Sequence, residues 1–91
     1  MTEHSKHWRT IPRHLVCRWL PNIRAMHSYN LQGGFVAQPV AAERQGAAVE
    51  QAMGGSRARF QVSRDGLHGK IVEHSNHWLE FDLAPGQARA A

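Results

Sequence analysis

Two short segments of the sequence carry the same arrangement of histidines. The pattern Glu-His-Ser-x-His-Trp occupies residues 3–8 and recurs at residues 73–78. Imidazole nitrogens bind zinc, copper and nickel, so the four histidines could share a metal ion if the segments met. Structural zinc sites usually include cysteine, however, and catalytic ones usually keep three histidines or a carboxylate. We therefore interpret the repeat as a chance echo and predict neither a metal site nor a cofactor for His4, His7, His74 and His77.

The second histidine segment also suggests hydrolysis. A metal-free hydrolase or nuclease needs a general base, a general acid and a cation near the phosphate. Glu73, His74, His77 and Arg57 would supply these groups if they converged at one end of a sheet. The sequence shows no pocket, and seven histidines make some convergence common by chance. We assign no catalytic residue, favour a protein that is not an enzyme, and keep a small metal- or His-dependent hydrolase or nuclease as the alternative.

Cysteine content and hydropathy indicate where the protein resides. The single cysteine, Cys17, cannot close an intramolecular disulfide, and small secreted domains often depend on such bridges. Residues 1–10 are polar and His-rich and lack the apolar core of a signal peptide. No apolar run approaches the roughly 20 residues that a membrane-spanning helix needs. The sequence therefore predicts a cytoplasmic protein that does not contact a membrane.

The positive charge lies at one end of the chain. Residues 1–30 hold five basic residues and one acidic residue, whereas residues 31–91 hold six of each, so the net charge of +4 comes from the first third. Such asymmetry suggests a nucleic acid or an acidic protein surface as partner, although +4 is also ordinary for a soluble small domain. Arginine favours planar contacts with phosphate or carboxylate. The candidate binding residues are Lys6, Arg9, Arg13, Arg18 and Arg24.

These observations together favour a binding role. The glycine pairs at residues 33–34 and 54–55 lack the further residues that phosphate loops and dinucleotide motifs require. We expect a small non-enzymatic binding or regulatory protein of the accessory or mobile-element type. It would act through surface contacts on nucleic acid, a nucleoprotein complex or an acidic protein, and not on a small-molecule substrate.

Two segments of the chain predict helices. Pro12 and Pro21 bound a short helix over residues 12–20, because proline suits a first helical turn and prevents continuation. Residues 39–53 are rich in alanine and precede a glycine pair, which would end the helix with a left-handed residue. The buried stripe of this main helix would consist of Ala42, Gly46, Val49 and Met53.

The segment between these helices has two interpretations. Two sets of residues alternate along it, namely Ile23, Ala25, Tyr29 and Leu31 on the one hand and Arg24, Ser28 and Asn30 on the other. This alternation favours an edge strand with the two sets on opposite faces. A second short helix that starts from Asn22 is the alternative.

Residues 57–83 predict a three-stranded antiparallel meander. A two-residue turn at Asp65-Gly66 pairs Phe60 with Ile71. The next turn lies between His74 and His77, and its length decides the register of the last two strands.

A two-residue turn there would place Ile71 opposite Glu80 in the core, which is costly for a carboxylate. A three-residue turn places Ile71 opposite Phe81 and Lys70 opposite Asp82, and we expect this register. It would neutralise most of the outer face of the sheet, which argues against that face as a nucleic-acid platform.

The expected fold is therefore α+β, with one main helix packed on a three- to four-stranded antiparallel sheet and a short N-terminal helix. We expect residues 1–91 to form a single domain. Its segments would be a mobile basic N-terminus (1–10), a short helix and possible edge strand (12–38), the main helix (39–53), the meander (57–83) and a frayed tail (85–91).

Overall fold

One antiparallel sheet forms the body of the protein. The computed structural model describes residues 6–31 and 36–84. The strands in these residues are β1 (Arg9–Ile11), β2 (Ile23–Asn30), β3 (Val36–Pro39), β4 (Arg59–Val62), β5 (His68–His74) and β6 (His77–Leu83). They pair in the order β1-β4-β5-β6-β2-β3, and every pairing is antiparallel.

The expected fold class is wrong in the extent of this sheet. The described residues form six strands in one sheet, not a three- to four-stranded sheet beneath one main helix. β1 and β3 contain only three and four residues, too few for alternation to reveal them. β2, expected at an edge, lies between β6 and β3. Residues 1–5 of the expected mobile N-terminus and the expected tail at 85–91 lie outside the described residues.

The helices are shorter than the sequence predicts. The segment over residues 12–20 contains only α1 (Arg13–Val16), followed by a turn and a 3₁₀ helix (Leu20–Asn22). Pro21 lies inside that 3₁₀ helix rather than beyond a helix end. The main helix, α2 (Ala42–Met53), begins three residues later than expected, because Pro39 pairs with His27 as the last residue of β3.

The core lies between α2 and one face of the sheet. α2 packs on β5 and β6 and buries Val49 and Ala52. The predicted stripe of α2 is wrong at two positions: Ala42 is exposed, and a Cβ on Gly46 would meet no atom within 4 Å. The buried cluster consists of Val16, Trp19, Met26, Val49, Ala52, Phe60, Val62, Ile71, Leu79, Phe81 and Leu83.

Gly69 permits two aromatic rings to pack directly on β5. Gly69 pairs with Phe81 across the sheet, and the rings of Trp19 and Phe81 meet edge to face with centroids 5.7 Å apart. A Cβ on Gly69 would lie 2.3 Å from Phe81 Cε1 and 2.6 Å from Trp19 Cζ3. Both rings are almost completely buried. Trp19, three residues beyond α1, therefore reaches the centre of the core through a space that only glycine leaves open.

The hairpin between β4 and β5 has the predicted register. Phe60 pairs with Ile71, which confirms the prediction. The loop is longer than two residues, however, because the chain turns over residues 64–67. The Asp65 carboxylate accepts hydrogen bonds from the Ser63 hydroxyl (2.6 Å) and from the Leu67 N–H (2.9 Å), and these bonds lower its pKa. Gly66 has a φ of 77°, a conformation that favours glycine.

The hairpin between β5 and β6 follows neither of the registers considered from the sequence. His74 pairs with His77, so the turn has two residues, but a bulge between Val72 and His74 shifts the register by one. Ile71 consequently lies opposite Leu79, and the expected partner Phe81 is wrong. Lys70 likewise lies opposite Glu80 rather than Asp82. The bulge keeps Glu80 out of the core without lengthening the turn.

A second irregularity reverses the faces of β2. The pairing of β2 with β6 shifts between Ile23 and Ala25. Beyond that point Met26 and Ser28 lie on the helix side of the sheet, and Met26 is buried. Tyr29 stacks on Trp78 on the opposite face, hereafter the open face. The predicted grouping of Ile23 with Ala25 and Tyr29 is therefore wrong.

Candidate functional site

A cavity of about 480 Å³ lies between α2 and the sheet. Its apolar wall consists of Val40, Ala47, Ala48, Ala52 and Leu79. Its polar groups are Ser28, Glu73 and His77 from the sheet and Arg44 and Gln51 from α2. The alanines of α2 leave space that larger side chains would fill. An apolar cavity with a few convergent polar groups is the usual form of a small-molecule site.

Three of these polar groups form a continuous hydrogen-bonded chain. His77 Nδ1 binds the Glu73 carboxylate, and His77 Nε2 lies 3.3 Å from Ser28 Oγ. With its proton on Nδ1, the imidazole donates to Glu73 and accepts from the Ser28 hydroxyl. The His77 side chain is 32% exposed and that of Glu73 is 21% exposed, so a molecule in the cavity can reach the chain. This is the order of groups that activates a serine nucleophile.

Pairing between distant strands brings these groups together. Ser28 lies opposite Leu79 in the β2–β6 pair, and His77 enters the same pair opposite Asn30. Ser28 and His77 are therefore diagonal neighbours on one face, although 49 residues separate them in sequence. Glu73 lies at the bulge of β5, four residues before His77. The bulge and the two-residue turn together place its carboxylate beside the imidazole.

The helix wall supplies two donor side chains. Arg44 and Gln51 line the cavity from α2. Neither side chain has a hydrogen-bond or ion-pair partner within residues 6–31 and 36–84. The Arg44 guanidinium and the Gln51 amide are therefore both available to a bound molecule.

The two side chains of the predicted hydrolase set that lie in the cavity are Glu73 and His77. The rings of His74 and His77 are 6.0 Å apart, but His74 does not line the cavity. The cation of the cavity is Arg44 rather than Arg57. Ser28, which belongs to the polar set of the 23–31 segment, and Arg44 of α2 were not among the residues that the sequence indicated for a site.

The four histidines of the sequence repeat do not form a described metal cluster. Among the residues that the structure describes, no three His, Cys, Asp or Glu side chains are grouped so as to hold a metal ion. His4 lies outside those residues. His7 precedes β1 and is exposed. The expectation that the protein needs no metal or cofactor stays a prediction.

The open face carries a row of aromatic rings around one lysine. Tyr29 and Trp78 stack with centroids 5.4 Å apart and planes within 4°. Lys70 Nζ lies 4.6 Å from the Trp8 ring centroid and 5.8 Å from that of Trp78. Burial lowers the pKa of Lys70, Glu80 opposes this shift, and two nearby cations add to it. Those cations are Lys6 and Arg59.

Two of the three rings in this row, Tyr29 and Trp78, face each other. Trp78 has Tyr29 on one side and Lys70 on the other, and its Nε1–H donates to Glu80 at 2.9 Å. The row thereby shields Lys70 and half-buries the indoles. One ring face of Tyr29 and one of Trp78 are therefore closed to a stacking base.

The predicted binding residues occupy different parts of the structure. Arg13 donates to the carbonyls of Met53 and Gly55, and its guanidinium lies 5.2 Å from the Phe60 ring centroid. It therefore holds the end of α2, where Gly54 is not left-handed as predicted but has a φ of −72°. Lys6 and Arg24 line two separate cavities, of about 170 Å³ and about 420 Å³ respectively. Arg9 is exposed on β1, and Arg18 is exposed after α1.

Comparison with known proteins adds no further information. The chain matches no protein-family model, no curated protein and no solved structure. None of the helices in the described part of the chain combines the length and apolar character that crossing a membrane requires.

Proposed function

We propose that the protein is a small serine hydrolase that cleaves carboxylic esters or thioesters. The observation that carries this proposal is the Glu73–His77–Ser28 hydrogen-bonded chain on the wall of the cavity. This replaces the expected non-enzymatic role with the hydrolase alternative, in a metal-free form. It retains His77 from the histidine repeat and assigns the nucleophile to Ser28.

The proposal gives each group a role. Ser28 Oγ attacks the substrate carbonyl carbon while His77 Nε2 takes the hydroxyl proton. Glu73 holds the imidazole and stabilises its cationic form. The carbonyl oxygen becomes an oxyanion, for which the Gln51 amide on the helix wall is the available donor.

The reaction then completes in two balanced steps. The tetrahedral intermediate expels the alcohol or thiol, which takes the proton from His77, and leaves an acyl group on Ser28. Water then attacks the acyl carbon as His77 removes its proton. The second tetrahedral intermediate expels Ser28 Oγ, which takes this proton back from His77, so the products are the free acid and the regenerated hydroxyl.

The character of the cavity favours acyl over phosphoryl substrates. Alanines, Val40 and Leu79 form its wall, which suits an apolar acyl chain. Glu73 and His77 bind each other directly, whereas a nuclease that uses both as base and acid needs them on opposite sides of the phosphate. The relay to Ser28 leaves His77 as the single proton carrier.

Covalent labelling tests the proposal directly. An alkyl fluorophosphonate forms an O–P bond with an activated serine and releases fluoride, and peptide mass spectrometry locates the label. We expect the label on Ser28, and we expect its rate of attachment to fall at least about 100-fold in His77→Gln, because the hydroxyl loses its general base. Ser75 is the internal control, since it is exposed between His74 and His77 in the same hairpin. Equal labelling of Ser28 and Ser75 would remove the basis for a serine hydrolase.

Nucleic-acid binding is the second candidate, and one observation favours it. Lys6 and Arg59 lie near Lys70 on the open face, so three cations adjoin one another there, beside the carboxylates of Glu80 and Asp82. The surface differs from the one that the sequence predicted, although it keeps Lys6. A contact with acidic protein would use the same charges.

Oligonucleotide titration at several salt concentrations tests this second candidate. If Arg59 contacts a phosphate, Arg59→Gln should weaken binding and flatten the log–log salt dependence by about 0.7–0.9. Arg57→Gln is the matched control, because Arg57 is exposed two residues before Arg59 and is not among the cations that affect Lys70. Identical salt slopes for the wild type and both variants would exclude the open face as the contact.

A further inference from the structure

The cavity contains a cation that the proposed hydrolysis does not use. Arg44 lines the cavity from α2 and has no ion-pair or hydrogen-bond partner for its guanidinium within the described residues. Glu73, the carboxylate in the same lining, binds His77. An unpaired guanidinium beside an apolar wall attracts an anion and presents two parallel N–H donors to it.

We propose that the substrate is an ester or thioester whose acyl chain ends in a carboxylate. The inference rests on the proposed function, because it assigns the substrate of the same site. Ser28 lies on the sheet wall and Arg44 on the helix wall, so one molecule spanning the cavity would touch both. Its reacting carbonyl would lie at Ser28, its methylene chain along Ala48 and Leu79, and its carboxylate at Arg44.

This placement explains why the two polar ends differ in charge. The sheet end holds a neutral hydroxyl, with the Glu73 carboxylate neutralised by its contact with His77 during catalysis. The helix end holds the unpaired positive charge. A simple fatty acyl chain would leave the Arg44 guanidinium facing an apolar terminus, whereas a terminal carboxylate satisfies it.

Two matched esters separate this inference from the proposed function. The 4-nitrophenyl half-ester of adipic acid and 4-nitrophenyl hexanoate have acyl chains of the same length, and only the first ends in a carboxylate. We expect the wild type to prefer the half-ester in kcat/KM. The ratio of the two kcat/KM values should fall about tenfold in Arg44→Gln, since a lost charge-assisted hydrogen bond is worth roughly that factor.

The controls assign each outcome to one proposal. Arg64→Gln removes the same charge from the exposed loop between β4 and β5, outside the cavity, so its ratio should equal that of the wild type. An unchanged ratio in Arg44→Gln, together with loss of both activities in Ser28→Ala, would overturn the carboxylate assignment and leave the hydrolase intact. Retention of both activities in Ser28→Ala would overturn the hydrolase and, with it, this inference.

Discussion

Gly69→Ala should lower the stability of the protein by about 3 kcal/mol, at the upper end of what overpacking usually costs. The new Cβ would lie 2.3 Å from Phe81 and 2.6 Å from Trp19, well inside van der Waals contact. Those rings pack against each other and are 2% and 1% exposed, so neither can move aside into solvent. Either the rings leave their rotamers or β5 moves away from β6.

A second glycine-to-alanine substitution provides the control. Gly46 lies inside α2, and a Cβ there would meet nothing within 4 Å. Gly46→Ala should therefore raise stability by roughly 0.5–1 kcal/mol, through helix propensity alone. Thermal melts should separate the two variants by on the order of 15–30 °C, given 4–8 °C per kcal/mol for a domain of this size. If Gly69→Ala melts with the wild type, the rings do not pack on β5 as described.

Removing Ser28 and His77 together should cost no more activity than removing either one. Each single variant, Ser28→Ala or His77→Gln, should lose at least about 100-fold in kcat/KM toward 4-nitrophenyl hexanoate, because general-base assistance contributes about that much or more. The two groups act on one proton, so the second substitution removes nothing that remains. The double variant should therefore lie within about twofold of the lower single variant.

The histidine content of the chain makes a control necessary for this experiment. Seven imidazoles can hydrolyse an activated ester slowly without any site. His74→Gln removes one imidazole from the same hairpin, outside the cavity, and should change the rate by less than about twofold. Losses that multiply in the double variant would show that Ser28 and His77 act independently, which contradicts the proposed chain. Circular dichroism of each variant separates loss of activity from loss of fold.

The parts of the fold that sequence predicts are those with local signals. Asp65-Gly66 predicts the pairing of Phe60 with Ile71, because a short turn between consecutive strands allows few registers. The bulge after Val72 has no such signal, because its stability depends on which face of the sheet the neighbouring side chains then occupy. A one-residue shift in register moves every later side chain of a strand to the opposite face. Alternation along β2 therefore groups Ile23 with the wrong side chains.

The candidate site was predictable only in the half that lies within one hairpin. Glu73 and His77 flank a turn, so their proximity follows from a short stretch of sequence. Ser28 lies beside His77 because β2 pairs with β6, although 49 residues separate the two side chains in sequence. Arg44 lines the same cavity because α2 packs on the sheet. Neither relation leaves a pattern in one sequence. Charge asymmetry was a weaker guide, because Arg13 holds the end of α2 instead of facing a partner.

Both edges of the described sheet carry features that oppose further strand pairing. The outermost strands contain only three and four residues, and a proline lies at the end of each: Pro12 directly follows β1, and Pro39 is the last residue of β3. Proline has no N–H to offer an incoming strand, and short margins leave little ladder to extend. Growth of the sheet from chain to chain, the first step toward fibrils, is therefore disfavoured at each side among the described residues.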